Sequence, residues 1–263
     1  MTLFDSSDLP PAPPDGASVR VRMTVAYHGK GFHGFAEQAG VKTVGGRLRQ
    51  AVERVLGHGI ELTCAGRTDT GVHARGQVVS FDADPGRIDT EALERSLNKV
   101  LAPAVAVRDV VVAPPEFDAR RSAVARRYRY LVLNSPVPDP LLADQAWHVE
   151  QPLDLRALLL TCDPVIGEHD FASFCRQPPG EGSTARRVND ACWRREGDGL
   201  LCFEIEASAF CHQMVRSLVG TMVEMGRGKK RPGEMAAIIR ARDRSAAGQP
   251  APAHGLCLWE VLY

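Results

Sequence analysis

The chain has no apolar run approaching the roughly 20 residues that cross a bilayer. Its opening stretch, MTLFDSSDLPPAPPDGAS, lacks the basic start and apolar core of a secretory leader. That stretch carries too little apolar surface to order itself, so residues 1–18 are expected to be a disordered tail. An excess of either charge is also missing: Lys+Arg and Asp+Glu both total 32, for a formal net charge of 0. No global field gathers a polyanion, and any contact with nucleic acid must come from local basic patches. Seven cysteines, at 64, 162, 175, 192, 202, 211 and 257, include no CxxC pair. They read as reduced thiols, mostly small core residues, and no metal site is expected. The expectation is a soluble, cytoplasmic protein without membrane association.

What is present describes an ordinary globular chain: 44% hydrophobic and 24% charged over 263 residues, enough for one large domain or two modest ones. Val19–Tyr27 (VRVRMTVAY) alternates apolar and polar residues, the pattern of a half-buried strand. After Thr43, Val44, Leu48, Ala51, Val52, Val55 and Leu56 recur at helical spacing until Gly57. Ile60–Cys64 and Gln77–Asp82 read as strands, Asp89–Leu101 as a helix with Leu93, Leu97, Val100 and Leu101 on one face, and Val105–Val112 as a returning strand. Residues 19–113 therefore run β-α-β-β-α-β, the split ferredoxin-like order. After the break APPEF (113–117), residues 114–263 repeat the style. Strands are expected at Arg126–Asn134, Val188–Arg195, Leu201–Ala209 and Leu256–Leu262, with helices at Leu153–Cys162, 212–225 and 233–241. The expected fold class is α+β: two ferredoxin-like (RRM-like) subdomains with mainly antiparallel sheets, joined around a central active-site cleft.

Between the two middle strands of the first half lies AGRTDTGVHARGQ (65–77), too glycine-rich for a helix and too polar for a buried strand. Loops carried by rigid elements are common homes for chemistry. Arg67 and Asp69 stand two apart in it, and an arginine beside a carboxylate favours the ionised form. An anionic carboxylate suits nucleophilic attack. The competing reading is a structural loop pair, with Asp69 accepting backbone N–H bonds. FDARRSAVARRYRY (117–130) is the second cluster: residues 116–135 hold five arginines against two acids. Strand alternation puts Tyr128 and Tyr130 on one face and Arg127 and Arg129 on the other. Phosphate-pairing arginines next to a stacking aromatic are the ingredients of RNA recognition; a sheet with arginine on the solvent side and tyrosine inside has the same pattern. Elsewhere ARR (185–187) and GRGKKR (226–231) are basic spots, and GEHDFASF (167–174) reads as a turn anchored by Phe171 and Phe174 rather than a His169–Asp170 acid–base pair. His212 is expected to serve packing or a phosphate contact.

GRTDTGVHARGQVVSFD, LNKVLAPAVAV, FDARRSAVARRYRYLVLN, GEHDFASF, FCHQMVRSLVGTMVEMGRG and APAHGLCLWEVLY, in this order, resemble the tRNA pseudouridine synthase A family from Val21 to the C-terminus. The resemblance implies an isomerase that breaks the C1′–N1 bond of uridines 38, 39 and 40 in the tRNA anticodon stem–loop, turns the uracil and rejoins it through C5, without a cofactor. It implies that Asp69 is the nucleophile, attacking C6 of the base or C1′ of the ribose, that Arg67 assists base flipping, and that Tyr128 stacks on the target base. Phe117, Asp118, Ala119, Arg120, Arg121 and Arg186 fall to RNA binding, and the family is homodimeric. Two segments depart from the family pattern: FHGFAEQ (32–38), with Phe35 for Trp and Ala36 for Gln, and TVG (43–45) for TVQ. A non-catalytic tRNA-binding or chaperone module of the same fold is the alternative; it calls for damage at Asp69, Arg67 or Tyr128, and all three residues are in place.

Overall fold

The alternation of VRVRMTVAY becomes strand β1 (Val19–Tyr27), with Val21, Met23, Val25 and Tyr27 buried and Arg20, Arg22 and Thr24 half-buried. The computed structural model describes residues 18–176 and 182–263; apart from Ser18, the expected tail lies outside the described residues. The chain divides into two units between Ala123 and Val124.

In the first unit, Thr43 caps helix α1 (Val44–Leu56), its Oγ1 accepting from the Gly46 amide at 3.2 Å. Gly57 ends the helix at φ 71°, a left-handed turn that glycine adopts freely. Strand β2 is short (Thr63–Cys64), and strand β3 is long (His73–Ala83). Helix α2 (Thr90–Leu101) is capped by Asp89, and β4 covers Val105–Val112. The strand order is β4-β1-β3-β2, every pair antiparallel, with Val21 opposite Phe81 and Val25 opposite Val107. Leu48, Val52, Leu93 and Leu97 from the two helices are all buried. At ~1.5–3 kcal/mol for each large aliphatic side chain, such burial is the main force holding helices and sheet together. Val55 and Val100, counted on the apolar faces from spacing, are instead 40% and 46% exposed.

In the first unit two strands start elsewhere than expected. Only Thr63 and Cys64 of the Ile60–Cys64 run pair, and β3 begins at His73, four residues early, because Ala74 pairs with Tyr27 past an irregularity in β1. The glycine-rich loop therefore closes at Val72, and Gly76 is a buried strand residue.

The second unit starts with β5 (Ala125–Asn134), followed by the short β6 (Trp147–Val149), helix α3 (Leu155–Leu160) and β7 (Gly167–Asp170). Next come β8 (Ala185–Arg195), β9 (Leu200–Ala207), α4 (Met214–Gly226), α5 (Met235–Ala241) and β10 (Leu256–Leu262). Strand β8 starts at Ala185, three residues before the expected Val188, and β9 ends at Ala207, two before the expected Ala209. Its strands run β10-β5-β9-β8-β7, all antiparallel, while β6 adds to β5 in parallel. The fold is thus mixed α+β on mostly antiparallel sheet. β6 and β7 were not expected; at three and four residues they are too short to show a period. Phe171 and Phe174 are fully buried beside β7, so the turn is anchored as its sequence suggests.

Candidate active site

Five anchors hold the loop that carries Asp69, all within the first unit. At its start, the Gln77 side chain, fully buried in β3, closes on Gly66 from both sides. Its Nε2 donates to the Gly66 carbonyl at 2.6 Å, and the Gly66 amide donates to its Oε1 at 3.3 Å. One residue before Asp69, the Thr68 Oγ1 lies 2.7 Å from the Tyr27 hydroxyl, and the Thr68 carbonyl accepts from the Phe35 amide at 3.1 Å. The Asp69 carbonyl accepts from the Val72 amide at 3.1 Å, closing a tight turn. At the far end the Gly29 amide donates to His73 Nδ1 at 3.0 Å, which leaves a neutral ring its proton on Nε2. Thr68 is buried, Arg67 and Thr70 are exposed, and Asp69 is half-buried between them. A polar loop with this many fixed points presents its carboxylate with little freedom, which nucleophilic attack requires.

The two segments that depart from the family pattern meet here. The Phe35 amide bonds to Thr68, the Phe35 carbonyl accepts from Gly45 at 2.8 Å, and the Gly34 carbonyl accepts from Val44 at 3.1 Å. Phe35 is buried with its ring 6.0 Å from that of Tyr27. FHGF and TVG are therefore one bracket behind the Asp69 loop. Phe35 stood out from sequence only as a departure from the family pattern, while Tyr27 and Gln77 were not singled out; Gln77, a polar residue opening the apolar run VVSF, was the available signal.

Residues 113–123 pack on this same unit. Arg20 reaches the Phe117 carbonyl at 3.1 Å, the Ala119 amide donates to Ser80 Oγ at 3.1 Å, and Arg22 lies 5.7 Å from the Phe117 ring. Of the residues expected to meet RNA, Arg120 and Arg121 have exposed side chains and Phe117 is half-buried. Ala119 is fully buried, which takes its side chain out of any surface contact. Asp118 is engaged in the turn: its Oδ1 accepts from the amides of Arg121 at 2.7 Å and Arg120 at 2.8 Å. The Arg121 amide bond foremost holds its carboxyl below the usual range; burial opposes this, and the Arg120 amide adds to the lowering. Burial pushes the Cys64 thiol up, while the charges of Arg67 and Arg120 pull it down.

In the second unit Tyr128 is 7% exposed, with the Phe210 ring edge-on at 5.0 Å and 84°. Across the strand, Arg127 is paired with Glu206 at 2.7 Å and Glu260 at 2.8 Å, and Arg129 with Glu204 at 2.6 Å while it lies 3.9 Å over the Trp259 ring. Arg194 also binds Glu204, at 2.7 Å. These arginines are ion-paired with glutamates of neighbouring strands, the arrangement that the sheet-face reading describes. Arg186 is half-buried and turned onto its own chain, donating to the Ser183 and Ala185 carbonyls at 2.7 and 2.6 Å.

The His169 ring bonds to the Ile166 carbonyl at 3.0 Å, whereas Asp170 accepts from Thr184 and Ala172, so the two make no acid–base pair. His212 Nδ1 faces the Arg176 carbonyl at 3.0 Å. No disulfide joins any of the seven cysteines, and burial pushes the Cys162 and Cys202 thiols up to about 12, as befits core residues. Among the described residues no three His, Cys, Asp or Glu side chains gather as a metal ligand set, and no helix is long and apolar enough to cross a membrane.

The family model described as tRNA pseudouridine synthase matches residues 23–120 and 162–263. A protein of Leifsonia xyli subsp. xyli named tRNA pseudouridine synthase A is 40% identical over 266 residues, covering 94% of this chain and 92% of its own length. Proteins of the same name from Frankia casuarinae and Halalkalibacterium halodurans are 42% identical over 247 residues and 40% over 238. The first pair covers 93% of this chain and 89% of the relative, the second 90% of each.

Proposed function

The chain belongs to the tRNA pseudouridine synthase family, and on that premise we propose that Asp69 is the nucleophile with which it converts uridines 38, 39 and 40 of the anticodon stem–loop to pseudouridine. The enzyme is an isomerase acting on tRNA. The observation that carries the assignment to Asp69 is the bracing of its loop, by Gln77 on one side and by Tyr27, Phe35 and Gly29 on the other.

The reaction is an internal rearrangement. The C1′–N1 bond breaks, the uracil turns while held in the site, a C1′–C5 bond forms, and the proton on C5 is lost as N1 gains one. No electrons are exchanged, so no redox cofactor is called for. The Asp69 carboxylate forms a transient covalent bond at C6 or C1′ and is released at the end, a nucleophile that divides one hard step into easier ones. The uridine must first leave its stack, at a cost of a few kcal/mol. Stacking on Tyr128, its ring braced by Phe210, and Arg67 occupying the vacated space offset that cost. The exposed side chains of Arg120 and Arg121 are the phosphate contacts of this reading, held outward by the Asp118 turn. The strand orders β4-β1-β3-β2 and β10-β5-β9-β8 both follow the split ferredoxin-like pattern and support two subdomains of that type. A cytoplasmic homodimer completes the proposal.

The test is incubation of the purified protein with a uridine-labelled tRNA transcript, followed by mapping of pseudouridine. Conversion at 38–40 that disappears in Asp69→Asn, with tRNA binding kept within several-fold, is the expected result. Near-wild-type conversion by Asp69→Asn refutes the nucleophile; release of free uracil shows hydrolysis instead, and binding without conversion shows a non-catalytic module.

A further inference from the structure

Among the anchors of the Asp69 loop, one joins two side chains. The Tyr27 hydroxyl and Thr68 Oγ1 lie 2.7 Å apart, and the two residues are only 5% and 6% exposed. The other anchors end on backbone atoms or a ring nitrogen, at Gly66, at the Thr68 and Asp69 carbonyls and at His73, and they fix the path of the chain. The Tyr27–Thr68 bond acts differently: it fixes the rotation of a side chain. Thr68 is β-branched, so its χ1 is coupled tightly to its own backbone. The peptide unit that follows Thr68 is the one that carries Asp69. Tyr27 itself ends β1 and is held from both sides, paired with Ala74 of β3 and Val105 of β4.

We propose that Tyr27 is a positioning residue of the isomerase. Through Thr68 it holds the Asp69 carboxylate in attack geometry without touching the substrate. This rests on the reading of Asp69 as nucleophile. The chemistry favours a hydroxyl pair here. A neutral donor–acceptor pair adds no charge next to a carboxylate that must stay anionic, whereas a basic side chain would compete with the substrate for it. The pair also lies behind the loop in apolar surroundings, with Phe35 6.0 Å from the Tyr27 ring. There water does not compete for the bond, so its geometry is kept.

The experiment compares Tyr27→Phe, Thr68→Val, Thr68→Ser and the double variant Tyr27→Phe/Thr68→Val. Each is measured for single-turnover rate at saturating tRNA, for tRNA Kd and for Tm. Displacements well below 1 Å in a reacting group are expected to cost roughly 10- to 100-fold in rate. The expected result is a loss of that size in Tyr27→Phe and in Thr68→Val, with Kd within about two-fold of wild type. The double variant should be no slower than the slower single, since both remove one interaction. Thr68→Ser, which keeps the hydroxyl, should recover most of the rate lost by Thr68→Val. Wild-type turnover by Tyr27→Phe overturns the proposal, as do losses that multiply in the double variant or a rise in Kd with turnover unchanged. Should Tyr27→Phe not fold, Thr68→Ser and Thr68→Val compared at a temperature where both are native decide it: equal rates overturn the proposal. Asp69→Asn runs alongside. If it is inactive and Tyr27→Phe is not impaired, only the positioning role falls; if it is active, the nucleophile assignment itself has failed.

Discussion

Gly29→Ala tests the close approach behind the Asp69 loop. A Cβ built at Gly29 would lie 2.3 Å from the Val72 carbonyl oxygen, 2.6 Å from its carbon and 2.7 Å from the Gly71 carbon, all backbone atoms that no rotamer change can move. Ordinary contact begins at 3.4 Å, so Val72 must retreat by about 1 Å, the difference between 3.4 and 2.3. The Val72 amide also donates to the Asp69 backbone carbonyl to close the turn, and the Gly29 amide holds His73 at 3.0 Å, so the retreat shifts the backbone that carries the carboxylate. A 1 Å error in a reacting group costs on the order of 100-fold in rate, about 2.7 kcal/mol of barrier. Overpacking should also lower stability by roughly 1–3 kcal/mol. Gly31→Ala supplies the control. Gly31 sits at φ 81° with nothing within 4 Å of its would-be Cβ, so alanine there costs only left-handed strain, about 1–2 kcal/mol. Both variants should melt several degrees early, at about 2–4 °C per kcal/mol. Single-turnover pseudouridine formation, measured well below either Tm, should drop about 100-fold in Gly29→Ala and stay near wild type in Gly31→Ala. Equal rates in the two variants would show that the contact does not govern the loop.

Tyr128→Leu should weaken turnover far more than it lowers Tm, because stacking on a base is worth ~1–3 kcal/mol; a variant that melts early yet turns over normally once folded marks Tyr128 as packing alone. Arg120→Ala or Arg121→Ala should weaken binding to all cognate tRNAs alike and reduce the slope of log K against log salt by ~0.7–0.9, the value for one phosphate contact; lower affinity with an unchanged slope would make them structural. Asp118 has a depressed folded pKa, from the Arg121 amide foremost, so its contribution to stability is fully present above the unfolded value near 3.9 and is lost as pH falls through the folded one. Denaturant melts of Asp118→Asn should accordingly show a flatter decline than wild type between about pH 5 and pH 2; parallel profiles would contradict the assignment.

Local signals were enough for β1, β4, β10 and both helices of the first unit. Alternation marks a half-buried strand within its own residues, while Thr43, Gly57 and Asp89 cap helices through atoms three or four positions away. The sequence alone also determined which loop to watch, since GRTDTG combines glycines with a lone carboxylate, and the order of its motifs carried the family resemblance. Tertiary structure decided what holds that loop. Its supports come from Tyr27, 41 positions before Thr68, from Gly29, 44 before His73, and from Gln77, 11 after Gly66, and no local pattern records such pairings. It also extended β3 back to His73, where pairing with Tyr27 overrides the glycine signal. Arg127 and Arg129 show the same limit. From sequence they are free cations on a strand, and only the register of β5 against β9 and β10 brings Glu204, Glu206 and Glu260 alongside to neutralise them. A residue's type and spacing set what it can do chemically; whether that chemistry stays available depends on partners that only the folded chain brings within bonding distance.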